Sequence, residues 1–200
     1  MTIATPPPGR RERNKQQKLD RIVAAAAELF AERGVDEVTT AEIAERADIG
    51  TGTLFLYAKN KGELLLLVQN TVYADALARG RAAAEGVADA GDAVLAIVRP
   101  IVACNRVQID NGRTYLREMV FGDPTDPHHA AALAIVAETQ ELIAATLVRD
   151  PRIEEADAAL LAQAVAAIMF LTMAASLNNA ASVDELLAQI DALIRAILPH

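Results

Sequence analysis

Residues 39–61 read TTAEIAERADIGTGTLFLYAKNK. Thr39 and Glu42 stand at the spacing of a capping box, in which the hydroxyl accepts from the Glu42 backbone and the carboxylate reaches back to Thr39. A short helix therefore starts there and carries Ile43, Ala44 and Ala47 on one face. Asp48-Ile49-Gly50 makes a tight turn with Ile49 buried, and Thr51 caps another short helix to about residue 57, carrying Leu54, Phe55 and Tyr57. Two helices this short bury too little surface to stand alone, so they must lean on a neighbour. A short polar-faced helix presented on a scaffold is how a helix-turn-helix enters DNA.

The neighbours on both sides are helices. Upstream, Leu19, Ile22, Val23, Ala26, Leu29 and Phe30 recur at three- and four-residue spacing, which gives an amphipathic helix from about residue 14 to 33, closed by Gly34. Val35 and Val38 pack the connection. Downstream, Asn60 and Glu63 repeat the capping pattern and open a long helix over residues 61–84. Pro6-Pro7-Pro8-Gly9 makes the first residues an extended arm, and Arg10, Arg11 and Arg13 make it basic. Residues 1–61 hold 10 Lys/Arg against 9 Asp/Glu, whereas residues 62–200 hold 9 against 18. A basic end on an acidic body suits a polyanion-binding head on a body that need not touch DNA.

The helix, the segment TTAEIAERADIGTGTLFLYAKNK and the long helix opening with GELLLLV together resemble the DNA-binding region of the tetracycline-repressor-like (TetR) family of transcriptional regulators. The resemblance covers roughly residues 15–70. It rests on Ile43-Ala44, on Gly52-Thr53-Leu54 with the aromatic pair after it, and on Asn60-Lys61 at the next helix start. It implies an all-α chain in three parts: a flexible basic arm (1–12), a helix-turn-helix DNA-binding domain (13–61) and a helical ligand-binding and dimerisation domain (62–200). The expected DNA-binding residues are Thr39, Thr40, Gly50, Thr51, Gly52, Thr53, Leu56, Tyr57, Lys59 and Lys61. Gly lets backbone approach DNA, Thr offers hydroxyl and methyl contacts, and a lysine in the first turn of a helix opposes its dipole unless a phosphate compensates. Two departures stand out. Phe55 occupies a position where a tyrosine commonly holds phosphate, which shifts that grip towards Tyr57, Lys59 and Lys61. Asp48 replaces a common turn glycine and is among the residue types that tolerate left-handed backbone.

The body reads as helices throughout, with expected spans of 92–110 (Pro100 inside it), 113–121 after an Asn111-Gly112 turn, 127–148, 154–177 and a last helix opened by the Ser182/Glu185 capping box. Residues 158–177 hold no charge and are long enough to span a bilayer. Their alanine content and Gln163, Thr172 and Ser176 favour a buried helix over a membrane span. That helix and the last one are apolar more widely than one seam requires, so pairing with a second chain in a four-helix bundle is expected through Leu161, Val165, Ile168, Leu186, Ile190, Leu193 and Ile197. Cys104, Gln108, Tyr115, Met119, Met169, Phe170 and Met173 are candidate walls of a mostly apolar ligand cavity.

Cys104 is the only cysteine, which excludes an intrachain disulfide and suits a reducing cytoplasm. His128-His129 beside Asp123 and Asp126 lacks metal-ligand spacing and is expected to be a solvated loop. No nucleophile or phosphate-loop pattern can be anchored, so neither enzyme activity, cofactor nor metal is expected. The functional expectation is a cytoplasmic homodimer on double-stranded DNA. It would be a repressor released from a palindromic operator by an unknown, mostly apolar inducer, with no membrane partner. An activator or ligand-independent regulator of the same fold, and a helical interaction protein without DNA binding, remain the other readings.

Overall fold

Six helix starts among the described residues are fixed by a side chain that accepts from a backbone N–H in the first turn. A computed structural model describes residues 9–199, with helices α1 (Arg10–Arg33), α2 (Thr40–Arg46), α3 (Thr51–Leu54), α4 (Lys61–Ala84), α5 (Ala90–Asn105), α6 (Ile109–Phe121), α7 (Pro127–Leu147), α8 (Glu155–Ala174) and α9 (Val183–Ile197). Among the described residues there is no strand. Thr39 and Ser182 form complete capping boxes with Glu42 and Glu185. Asn60, Asp89, Gln108 and Asp126 cap α4, α5, α6 and α7. Residues 1–8 of the expected arm lie outside the described residues.

Three helix boundaries depart from the sequence pattern. Helix α1 begins at Arg10, so Arg10, Arg11 and Arg13 lie on helical turns and not on an extended arm. The break between α5 and α6 falls at residues 106–108, and Asn111 and Gly112 are inside α6. The cause is Gln108, whose side chain accepts from Asn111 N at 2.8 Å and starts the helix before the apparent turn. Helix α3 starts at Thr51 with Gly50 as its N-cap, so Thr51 is not the cap the sequence suggested; it is only four residues long and continues as a turn, with Tyr57 N donating to Leu54 O at 2.9 Å.

Helix α4 is the axis of the molecule and packs on α1, α5, α6 and α7. Its apolar residues are spread round the helix because it has neighbours on several sides: Leu64, Leu65, Leu66, Val68, Tyr73, Ala76 and Leu77 are all buried. It crosses α5 at Gly80, where a Cβ would stand 2.6 Å from Ile97 O. Only a glycine permits that approach. The head formed by α1, α2 and α3 meets the body at Asn111. That side chain is 2 % exposed, accepts from Val35 N at 2.7 Å and donates to Phe30 O at 2.8 Å. Asp48 has φ +53, so the turn between α2 and α3 takes the left-handed conformation that an aspartate can adopt.

Candidate nucleic-acid interface and ligand cavity

The α2–α3 unit buries Ile43, Ala44, Ala47 and Leu54 against α1 and leaves its other side open. Gly50, Thr51 and Gly52 are exposed, Thr53 is half-buried, and Leu56 is 82 % exposed. Phe55 is 45 % exposed and joins Leu56 on the outer face. A small helix start with bare glycines, threonine hydroxyls and two projecting apolar side chains is shaped for a groove, where base edges and thymine methyls can be touched. Thr40 opens α2 half-buried. Thr39 is exposed, but its hydroxyl donates to Glu42 at 2.7 Å. The Thr39 hydroxyl and backbone, followed by Arg33, hold the Glu42 carboxyl at about 2.

The three candidate phosphate contacts are engaged elsewhere. Lys61 Nζ donates to Val35 O at 2.9 Å and Asp36 O at 3.1 Å, tying the start of α4 to the α1–α2 corner. This pairing offsets the unfavourable dipole at its position. Lys59 Nζ lies 3.7 Å from Asp123 and 4.0 Å from Glu63. Tyr57 packs against the core and its hydroxyl donates to Lys15 O at 3.4 Å. The exposed cations sit instead on the first turns of α1, where Arg10, Arg11, Lys15 and Lys18 are all open to solvent. Sequence spacing shows that a lysine is near a helix start; it does not show which carbonyls the fold brings to it.

In the body, a cavity of about 460 Å³ lies between α6, α7 and α8, with Tyr73 of α4 and Ile101 of α5 in its wall. Of the candidate wall residues, Tyr115, Met119, Met169, Phe170 and Met173 line it. Gln108 does not, because it caps α6 and faces Gly34 of the head. Cys104 does not line it either; it is buried beside the cavity, and burial pushes its thiol up to about 12. Residues missed from sequence include Tyr73 and much of the α7 wall, Ile135, Val136, Thr139 and Gln140, whose helix carries no sharp apolar stripe. Tyr73 and Tyr115 stack with centroids 4.3 Å apart and planes at 10°. Burial, the largest cause for each, raises both phenols well above their ordinary range. No charged side chain lines the cavity.

The histidine pair is not a solvated loop. Asp126 caps α7 by accepting from His128 N and His129 N, both at 3.2 Å. His129 is 5 % exposed, lines the cavity and donates through Nε2–H to Met119 O at 3.0 Å. His128 turns the other way and donates through Nε2–H to Tyr57 O at 3.0 Å. A carbonyl can only accept, which fixes both rings with a proton on Nε2.

Helices α8 and α9 leave apolar side chains uncovered. Val165, Leu186 and Ile190, expected at a dimer interface, are fully buried in the chain's own core, and Leu161 and Ile168 are half-buried against it. Leu193 and Ile197 remain 42 % and 39 % exposed. Beside them stand Leu160 at 64 % and Leu171 at 68 %, which the sequence did not single out. Helical periodicity located an apolar stripe; which stripe faced inward depended on where α5 and α7 packed. Helices α7 and α8 are long and apolar enough to cross a membrane by length and composition, yet both pack on the helical body.

Comparison with known proteins bears on the head first. The sequence model described as bacterial regulatory proteins, tetR family, matches residues 22–68. The fatty acid metabolism regulator protein of Bacillus subtilis (strain 168) is 37 % identical over 54 residues, which cover 27 % of this chain and 28 % of that protein. Over the whole fold, Thermus thermophilus FadR, a TetR-family transcriptional repressor solved in complex with lauroyl-CoA, superposes with a TM-score of 0.71 at 23 % identity, covering 91 % of this chain and 96 % of that one. RolR, solved in complex with resorcinol, superposes with a TM-score of 0.68 at 20 % identity, covering 93 % and 89 %. At these identities the structural likeness is one of fold.

Proposed function

We propose that the chain is a member of the tetR family of bacterial regulatory proteins, which residues 22–68 match, and that it works as a homodimeric repressor, released from a palindromic operator by a small, mostly apolar ligand. As a DNA-binding regulator it is not an enzyme. The observation that carries the proposal is the sharing of one helix between head and cavity. Helix α4 is tied to the head through Lys61 and walls the cavity with Tyr73, about 18 Å further along the helix axis at 1.5 Å per residue. A ligand that displaces α4 displaces the head.

Two heads read two half-sites about 34–36 Å apart, so a small rotation of each disengages the pair. A coupling of about 1–3 kcal/mol between ligand and DNA is the usual scale. Gly50, Thr51, Gly52, Thr53, Phe55 and Leu56 face the groove, and the α1 cations face the backbone phosphates. Leu160, Leu171, Leu193 and Ile197 meet their counterparts across a two-fold axis in a four-helix interface, which takes them out of water. The protein then acts in the cytoplasm, with its α8 stripe covered by protein and not lipid.

The cavity favours an uncharged ligand. Two relatives point to acyl chemistry, one by its lauroyl-CoA and one by its role in fatty acid metabolism. Residues 62–200 carry 18 Asp/Glu against 9 Lys/Arg, which opposes a polyphosphate head group. An acyl chain, or a molecule equally apolar with a small neutral head, fits better than its coenzyme A ester. The test is enrichment of random duplexes at low salt, followed by mobility shift with dodecanol and lauroyl-CoA side by side. The expected site has two-fold symmetry, weakens with salt and is released by dodecanol; Thr51→Ala and Thr53→Ala each weaken it about fivefold or more. Enrichment of no duplex, or variants that bind like the parent, would overturn the assignment.

A further inference from the structure

Four hydrogen bonds run in one direction from the cavity, through the turn that ends α3, to α1. The Tyr115 hydroxyl, on a ring that lines the cavity, donates to Asn70 Oδ1 at 2.9 Å. Asn70 Nδ2 donates to His128 O at 2.9 Å. His128 Nε2–H donates to Tyr57 O at 3.0 Å, and the Tyr57 hydroxyl donates to Lys15 O at 3.4 Å. Each member has its role fixed by its partner. Asn70 must present oxygen to a hydroxyl and nitrogen to a carbonyl, so its amide has one satisfactory orientation.

We infer that this relay positions the recognition helix, with His128 as its joint between body and head. It deepens the proposed ligand response and rests on that reading only for its biological purpose. Three observations support it. His128 and His129 sit side by side in the first turn of α7 yet serve different parts of the molecule: His129 lines the cavity, while His128 holds the exit of α3. The cavity therefore touches the relay twice, through the Tyr115 ring and through the residue next to His128. Helix α3 is four residues long, too short to hold its own geometry, so an external bond to the Tyr57 carbonyl restrains a segment that lacks internal support. The neighbouring bridge from Lys59 to Asp123 is an exposed ion pair at 3.7 Å, a weaker restraint than a directed bond to backbone. A ligand that shifts the Tyr115 ring takes its hydroxyl from Asn70 and slackens the chain at its source.

The test is amide hydrogen exchange on the free, full-length protein, read on peptides covering residues 51–58 and, as a reference, residues 90–105. His128→Leu is expected to raise exchange over 51–58 by roughly threefold to tenfold, the scale of one lost hydrogen bond, with 90–105 unchanged. His128→Gln, whose amide N–H reaches the same carbonyl, is expected to stay within about twofold of the parent. The decisive variant is Asn70→Asp. It touches neither α3 nor Tyr57, keeps an acceptor for Tyr115 and replaces the donor to His128 by a carboxylate oxygen that repels its carbonyl; a rise over 51–58 at least as large is expected from it. Asn70→Asp at the parent rate over 51–58, or His128→Gln as fast as His128→Leu, overturns the relay. No DNA and no ligand enter this measurement, so the relay can fail while the repressor stands. A relay that holds in a protein no apolar ligand releases from DNA would refute the repressor mechanism instead.

Discussion

Replacing Asn111 by alanine tests how the head is held on the body. Its side chain, 2 % exposed, satisfies two backbone groups of the α1–α2 corner, Val35 N–H and Phe30 C=O. They are not equal losses. Phe30 O also accepts from Gly34 N at 2.9 Å, so its carbonyl keeps a partner when Asn111 is gone. Val35 is 2 % exposed and its N–H is left without the acceptor it had at 2.7 Å. One buried donor stranded in this way costs about 1–3 kcal/mol. With little added for the carbonyl, the expected loss is about 2 kcal/mol, roughly a thirtyfold fall in the folding equilibrium constant. Urea denaturation followed by circular dichroism reads the total, and exchange of the Val35 amide reads its origin. A variant within about 0.5 kcal/mol of the parent, or a Val35 amide as protected as before, would refute this account of the joint.

Three further outcomes follow from the same coordinates. Glu42 has its folded pKa depressed to about 2 by the Thr39 hydroxyl and backbone and by Arg33. The stabilisation is therefore present above its unfolded value near 4.5 and lost as pH falls towards 2, so the head should loosen across that window in an acid titration. Glu42→Gln should flatten that part of the curve, and an unchanged curve would refute it. Cys104, with its thiol pushed up to about 12, should resist a thiol-specific reagent at pH 8 in the folded protein and react fully in denaturant; prompt labelling of the native chain would contradict its burial. Leu171→Glu places a charge on the exposed α8 stripe, and sedimentation should show the dimer shifted to monomer without loss of helix content. A monomeric parent would remove the interface.

Much of the head was legible because its signals are local. Thr39 and Glu42 cap each other across one turn, Gly34 ends a helix, and Asp48 can adopt left-handed backbone; each depends on residues within a few positions. The exit of α3 was less legible. Phe55 stands where a tyrosine commonly holds phosphate, but its exposure was not readable, since a helix of four residues has no full apolar face to turn inward, and it emerges exposed like Leu56. Lys61 matched its expected position and not its expected partner, since the carbonyls it holds arrive from 25 and 26 residues away in sequence. In the body, five of the seven candidate cavity residues face the cavity, because Met and aromatic side chains on α6 and α8 were the available signal. Gln108 was misassigned because a cap and a cavity polar group look alike in sequence.

By itself, then, the sequence determined the helices, three of the six side-chain caps, the two-helix reader and the division between a basic end and an acidic body. Backbone capping and apolar periodicity are short-range, and they leave a trace in the order of residues. The tertiary structure decided which of several apolar faces was buried, which lysines were free, where the cavity opened, and that Asn111 and His128 join body to head. Those outcomes depend on groups far apart in the chain meeting at hydrogen-bonding distance, and hydrogen bonds of that kind have no period for a sequence to display.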